Sequence, residues 1–137
     1  MLGSNLATII LAAGKGTRMQ SPLPKVLHSL SGTPLLSYVF RTVFELKPNR
    51  VLVVVGYGAS QVREAFPNQT KVEFVEQKPQ WGTGHAVMQT RQFLRNFEGK
   101  VLVLCGDMPF IRVSTLKSMI EEHHQNRPAC TFLTLKT

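Results

Sequence analysis

Short apolar runs alternate with amphipathic segments along this chain, and the alternation predicts strands and helices in turn. The first apolar run extends from Leu6 to Ala13 and predicts a strand. Apolar residues then recur at helical spacing, which predicts a helix over residues 34–46, with Thr33 as its cap and Pro34 in its first turn. The run from 51 to 55 is typical of a strand that is buried on both faces.

The same alternation continues towards the end of the chain. It predicts a helix over residues 60–66, a less apolar strand at 72–75 nearer a sheet edge, and a helix over 85–97. A buried strand at 101–104, a helix capped by Ser114 and a last strand at 130–135 follow. This order implies a doubly wound α/β fold, with a mostly parallel sheet and helices on both faces.

The first strand leads into a glycine loop that is rich in cations. Gly14 and Gly16 allow backbone N–H groups to converge on one point, which makes a nest for anions. Lys15, Arg18 and Lys25 add full positive charge, and a guanidinium such as that of Arg18 binds phosphate in two places. The loop therefore predicts a polyphosphate site, although an ordinary strand-to-helix turn with solvated cations has the same local pattern.

Two better-known phosphate loops do not fit this segment. A P-loop has four residues between its glycines, whereas Lys15 alone separates Gly14 from Gly16. The dinucleotide fingerprint requires a third glycine where this chain has Met19, and its acidic residue would be Glu45, which falls in a predicted helix. The loop therefore belongs to neither class.

A second motif, Gly106-Asp107, follows the strand predicted at 101–104. The carboxyl ends of parallel strands meet at one sheet edge, so Asp107 and the glycine loop converge if their strands are neighbours. A carboxylate there suits Mg²⁺, which takes one or two carboxylates besides phosphates and water. The alternative is that Asp107 only accepts hydrogen bonds from turn amides.

The polar segment 76–85 offers groups that suit a nucleobase. The amide of Gln77 and the hydroxyl of Thr83 each provide a donor and an acceptor, which match the edge of a base. Thr83 is equally suited to capping the next helix. We expect His85 to be a solvated residue of that helix and Trp81 to be a hydrophobic plug.

Composition narrows the class of protein. The 137 residues, 43% hydrophobic and 18% charged, suit one globular domain, and a formal net charge of +8 favours an anionic partner. The basic residues are scattered, which argues against nucleic acid, and no apolar segment reaches the ~18–20 residues needed to cross a membrane. With no signal peptide apparent, we expect a cytoplasmic protein in which Cys105 and Cys130 are reduced and buried.

Taken together, the motifs resemble the sugar-nucleotide pyrophosphorylases, and among these the uridylyltransferases of N-acetylglucosamine 1-phosphate. The resemblance covers nearly the whole chain and is carried by Leu11 to Met19, Pro24 to Leu27, Gln77 with Gly82 to Ala86, and Gly106-Asp107 with Pro109.

The resemblance implies a role for each of these positions in a Rossmann-like nucleotidyltransferase fold. Arg18 and Lys25 would be catalytic and hold the triphosphate, and Asp107 would bind Mg²⁺. The residues implied to bind the nucleotide are Leu11, Ala12, Ala13, Gly14, Lys25, Gln77, Gly82, Thr83, Gly106 and Asp107.

The implied reaction transfers UMP from UTP to N-acetylglucosamine 1-phosphate and releases pyrophosphate. Family members continue past the position of Thr137, so residues 1–137 would be the nucleotide-binding half of a domain with an incomplete fold. Longer relatives form trimers, which implies a homo-oligomer, and a sheet cut halfway would expose an edge strand and an apolar face. Two alternatives stay open: a UTP-binding domain without turnover, and a related nucleotidyltransferase that uses another nucleoside triphosphate or sugar phosphate.

Overall fold

The computed structural model describes residues 5–136, which fold around a parallel sheet of four strands. Single turns of 3₁₀ helix lie at Thr17–Met19, Lys25–Leu27 and Arg91–Leu94. No helix in this part of the chain has the length and apolar character needed to cross a bilayer. The strands are β1 (Leu6–Ala12), β2 (Ser29–Leu30), β3 (Thr33–Pro34), β4 (Arg50–Val55), β5 (Val72–Glu76) and β6 (Lys100–Cys105), and the α-helices are α1 (Leu35–Glu45), α2 (Ala59–Ala65), α3 (Thr83–Met88) and α4 (Val113–Asn126).

The sheet has the order β5-β4-β1-β6, and all its neighbours are parallel. The chain moves from β1 outwards to β4 and β5, and then crosses back to place β6 on the other side of β1. The strand order therefore reverses between β1 and β6, where ligands bind in open α/β sheets. The expected doubly wound α/β fold is confirmed, and β5 lies at an edge as predicted.

Helices cover the two faces of the sheet unequally. On one face, α1, α2 and α4 pack over the larger apolar cluster, which includes Ile10, Val53 and Leu104. On the other face, a smaller cluster brings Ala86 of α3 against Ile9. Because fewer residues cover this second face, part of it is exposed to solvent.

The open part of the face lies on β6. The side chains of Val101 and Val103 are 47% and 42% exposed, whereas Leu102 and Leu104 point into the larger core. The prediction of a strand buried on both faces was therefore wrong for β6. The expectation of an exposed edge and an apolar face is confirmed, because β6 pairs with β1 alone among the strands between residues 5 and 136.

Three helix predictions need correction. α1 begins at Leu35 and is preceded by Pro34, because Thr33 and Pro34 both pair with β2 in the β2–β3 ladder. The helix predicted at 85–97 is divided into α3 and the Arg91–Leu94 turn, since the hydrogen bonds tighten to three-residue spacing at Thr90 N–H to the Val87 carbonyl. Ser114 does not cap α4, which begins at Val113.

The strand predicted at 130–135 is absent from the structure. The chain leaves α4 through Arg127, which has a φ of +47°, and passes the start of β6 instead of running along its edge. The Thr131 hydroxyl lies 2.9 Å from the His123 ring, while Phe132 and Leu135 are 79% and 90% exposed. A segment with alternating apolar residues forms a strand only where it can pair with the edge of another strand.

One buried hydroxyl provides a test of the core. Thr8 lies within β1 with no exposed surface, and its Oγ1 has no hydrogen-bond partner among residues 5–136. Thr8→Val removes this hydroxyl and keeps the shape, so it should raise the free energy of unfolding by about 1 kcal/mol. Urea unfolding measures the change. Thr42→Val is the control, because the Thr42 hydroxyl donates to the Tyr38 carbonyl at 3.3 Å, and a stability loss at position 8 would contradict the prediction.

Candidate functional site

A cleft of about 290 Å³ opens at the carboxyl ends of β1, β5 and β6. Nine of the residues predicted from the sequence line it, together with Cys105, which the resemblance places at a nucleotide-contacting position, and with Val26, Gln80 and Ala86, which were not assigned there. The nine are Leu11, Ala12, Ala13, Gly14, Lys25, Gln77, Gly82, Thr83 and Asp107.

Close contact between the ends of β1 and β6 forms the floor of the cleft. The Gly106 N–H donates to the Leu11 carbonyl at 2.9 Å, which continues the β1–β6 ladder by one residue. A Cβ on Gly106 would lie 3.1 Å from both the Leu11 oxygen and Val26 Cγ1, so a larger residue would push the strand ends apart. Gly106 therefore places Asp107 at the cleft, although it does not line the cleft itself.

The glycine loop begins where β1 ends. Gly16 has a φ of +65°, which favours glycine, and a Cβ there would lie 2.7 Å from Lys25 Cβ. The Lys25 side chain packs in this space and reaches the cleft. Lys15 instead lies over the Tyr57 ring, with its ammonium 5.3 Å from the ring centre.

Arg18 stands apart from the other predicted residues. It lies on the exposed 3₁₀ turn Thr17–Met19 and does not line the cleft. The structure therefore brings Lys25 into the site and leaves Arg18 outside it. The role of Arg18 at the triphosphate stays a prediction.

Lys25 and Asp107 form an ion pair across the cleft. Lys25 Nζ lies 2.5 Å from Asp107 Oδ2, with the two side chains 41% and 28% exposed. No group of three or more His, Cys, Asp or Glu side chains between residues 5 and 136 could enclose a metal ion. Asp107 is the one carboxylate among the described residues that line the cleft.

Gln77 is held by both its backbone and its side chain just after β5. It is 3% exposed, and its N–H donates to the Val55 carbonyl at 2.7 Å. Its Nε2 lies 3.1 Å from the Gly82 carbonyl oxygen and 2.9 Å from His85 Nδ1. Gly82 has a φ of +97°, which turns its carbonyl towards Gln77 at the start of α3.

Two expectations for the neighbours of Gln77 were wrong. His85 is not simply solvated, because both ring nitrogens lie within 3.0 Å of glutamine amides, from Gln77 and Gln89. Trp81 is not a hydrophobic plug, because it is 77% exposed and lies over the His85 ring at 5.0 Å. The i, i+4 spacing of His85 and Gln89 is the signal that could have indicated this network.

The two cysteines are exposed, contrary to the expectation of buried thiols. Cys105 ends β6 on the open face of the sheet and lines the cleft. Partial desolvation raises the pKa of the Cys105 thiol above its usual value, the Asp107 carboxylate raises that pKa further, and the Lys25 ammonium opposes both effects. The pKa of Cys105 therefore depends on both members of the ion pair.

An open parallel sheet with a glycine loop, a cation and a carboxylate at its switch point defines a Rossmann-like α/β domain. Residues 8–136 match the family described as the MobA-like NTP transferase domain, and the chain belongs to that family. A nucleotidyl transferase from Methanothermobacter thermautotroptrophicus has the same fold, with a TM-score of 0.70 and 24% identity over 87% of this chain and 58% of its own.

Curated relatives match the chain more closely in sequence. The protein named "Bifunctional protein GlmU" from Synechococcus sp. (strain JA-3-3Ab) is 52% identical over 134 residues, which are 98% of this chain and 21% of that protein. The protein of the same name from Thermosynechococcus vestitus is 50% identical over 125 residues, or 91% of this chain and 28% of its own length. The expected resemblance is confirmed, and the chain spans between a fifth and a third of these relatives.

The reactivity of Cys105 should report the ion pair. Asp107→Asn removes the carboxylate that raises the thiol pKa, so more thiolate forms at a given pH and alkylation by iodoacetamide becomes faster. Lys25→Met removes the opposing cation and should slow the reaction. Mass spectrometry of Cys105, with the exposed Cys130 as internal reference, measures both rates. Equal rates in the two variants would contradict this electrostatic account.

Proposed function

We propose that this chain binds UTP with Mg²⁺ and transfers UMP to N-acetylglucosamine 1-phosphate, giving UDP-N-acetylglucosamine and pyrophosphate. The observation that carries the proposal is the convergence of Gly14, Lys25, Gln77 and Asp107 on one cleft at the strand-order switch. Family membership supports the nucleotidyl transfer, and the relatives named GlmU support the choice of this sugar nucleotide. An enzyme that consumes UTP would act in the cytoplasm.

The chemistry of the cleft fits a magnesium ion. A half-buried carboxylate such as Asp107 supplies the hard oxygen ligand that Mg²⁺ prefers, and nucleotide phosphates and water supply the rest. When bound, Mg²⁺ would neutralise charge on the phosphates. Asp107 is at present paired with Lys25, so binding of a Mg²⁺–nucleotide complex would replace the ammonium at Asp107 and pair that ammonium with phosphate.

The remaining residues would align the nucleotide. Backbone groups from Leu11 to Gly14 would enclose it at the end of β1, and Gln77, Gly82 and Thr83 would face the base. A phosphate oxygen of the sugar phosphate would attack the α-phosphorus of UTP as the bond to pyrophosphate breaks. Such a displacement requires mainly alignment and charge neutralisation, which Lys25 and Asp107 can supply without a covalent intermediate.

Binding without turnover is the second candidate function. The chain spans 21% and 28% of the two relatives described above, and its described residues form one cleft around the nucleotide-binding motifs. A domain with this cleft alone would hold UTP and leave the sugar phosphate to other residues. Binding and turnover must therefore be measured separately.

Calorimetric titration tests the nucleotide site. UTP with Mg²⁺ should bind saturably, and Asp107→Ala should weaken the affinity about tenfold or more, since the metal loses its protein ligand. Glu121→Ala is the matched control, because Glu121 is an exposed carboxylate on α4 that binds Gln125 and lies outside the cleft. Failure of wild-type protein to bind any nucleoside triphosphate would contradict the proposal.

Pyrophosphate release tests turnover. With UTP, Mg²⁺ and N-acetylglucosamine 1-phosphate together, release should exceed that with UTP alone, and Lys25→Met should reduce it because a phosphate-binding charge is lost. A coupled enzymatic assay for pyrophosphate measures the rate. UTP binding without release would favour the second candidate function, whereas release with GTP in place of UTP would assign a different nucleotide.

A further inference from the structure

We infer that His85 is a positioning residue that fixes the orientation of the Gln77 side-chain amide and thereby determines which nucleobase the cleft prefers. The inference rests on the proposed function, since it concerns the base of the bound nucleotide. It assigns a role to a side chain that was expected from the sequence to be merely solvated.

The Gly82 carbonyl is the first of two contacts that orient the Gln77 amide. A carbonyl oxygen only accepts hydrogen bonds, so the atom 3.1 Å from it must be the Gln77 nitrogen and not the oxygen. The second hydrogen on that nitrogen points towards His85 Nδ1 at 2.9 Å. Because Gln77 is 3% exposed, water cannot readily replace either partner.

This arrangement fixes the tautomer of His85. Nδ1 must accept a hydrogen bond from Gln77, so the proton of the neutral ring lies on Nε2. Nε2 faces the amide nitrogen of Gln89 at 3.0 Å, a nitrogen that also donates to the His85 carbonyl oxygen at 3.1 Å, and two donors cannot satisfy each other. Gln89 is half-buried and can turn to water, whereas Gln77 cannot, so the contact with Gln77 prevails.

The amide oxygen of Gln77 is then the atom left for a ligand. Gln77 lines the cleft, and its Oε1 has no hydrogen bond to any residue between 5 and 136. An acceptor in the cleft matches the N3–H of uracil and opposes the bare N3 of cytosine. Without His85, the amide loses one of the two contacts that hold it, and a turned amide would present N–H groups that suit cytosine instead.

The test compares nucleotide preference in variants at position 85 and at position 89. The ratio of CTP to UTP dissociation constants should fall about tenfold in His85→Ala, because loss of one buried hydrogen bond frees the amide. His85→Asn, whose Oδ1 can accept in place of Nδ1, should restore the ratio to within about threefold of wild type. Gln89→Ala, on the other side of the ring, is the matched control and should leave the ratio unchanged.

A second measurement needs no nucleotide. Nitrogen-15 NMR of wild-type His85 should show Nε2 protonated and Nδ1 bare, and a proton on Nδ1 would overturn the inference. An unchanged ratio in His85→Ala, with UTP still bound by wild type, would overturn the inference alone. Absence of binding to both nucleotides would overturn the proposed function, and the ring tautomer would then still decide whether His85 orients Gln77.

Discussion

The cleft depends on the hydrogen bond from the Gly106 N–H to the Leu11 carbonyl. This bond holds the last residues of β6 against those of β1, at the point where the strand order reverses. It places the glycine loop, which follows β1, beside the carboxylate that follows β6. Helices cover the two faces unequally, yet the floor of the cleft is built by strand pairing alone. The sheet therefore sets the distance between the glycine loop and Asp107 before any side chain contributes.

Charge in the cleft is balanced within the protein. The chain carries a formal net charge of +8, but the cation that reaches the cleft, Lys25, is paired with Asp107, and Lys15 lies over the Tyr57 ring. If the cleft binds a metal–nucleotide complex as proposed, phosphate would compete with Asp107 for the ammonium, and the metal ion would compete with the ammonium for Asp107. Such a complex would satisfy both groups at once, whereas either component alone would leave one charge without its partner. The ion pair would then favour the complex over its parts.

The sequence predicted those features that follow from local chemistry. The glycine loop, Gln77, Thr83 and Asp107 were identified because each supplies a group that suits a nucleotide or a metal ion, and the structure brings them to one cleft. The exposure of Val103 was missed because periodicity shows that a strand is apolar and not whether a helix covers it. The contact between His85 and Gln77 was missed because it joins two elements, and its geometry depends on the turned backbone of Gly82. The division of the helix at 85–97 was missed because α and 3₁₀ turns have similar apolar spacing.

The exposed indole of Trp81 has a practical consequence. Trp81 is the one tryptophan of the chain, and its ring packs against the ring of His85. Trp81 precedes Thr83, a residue of the cleft lining, by two positions. Fluorescence excited at the red edge of protein absorbance therefore comes from a single position beside the cleft. The protein carries an optical reporter of its own site, so stopped-flow mixing could follow events at the cleft without a dye and without altering a residue.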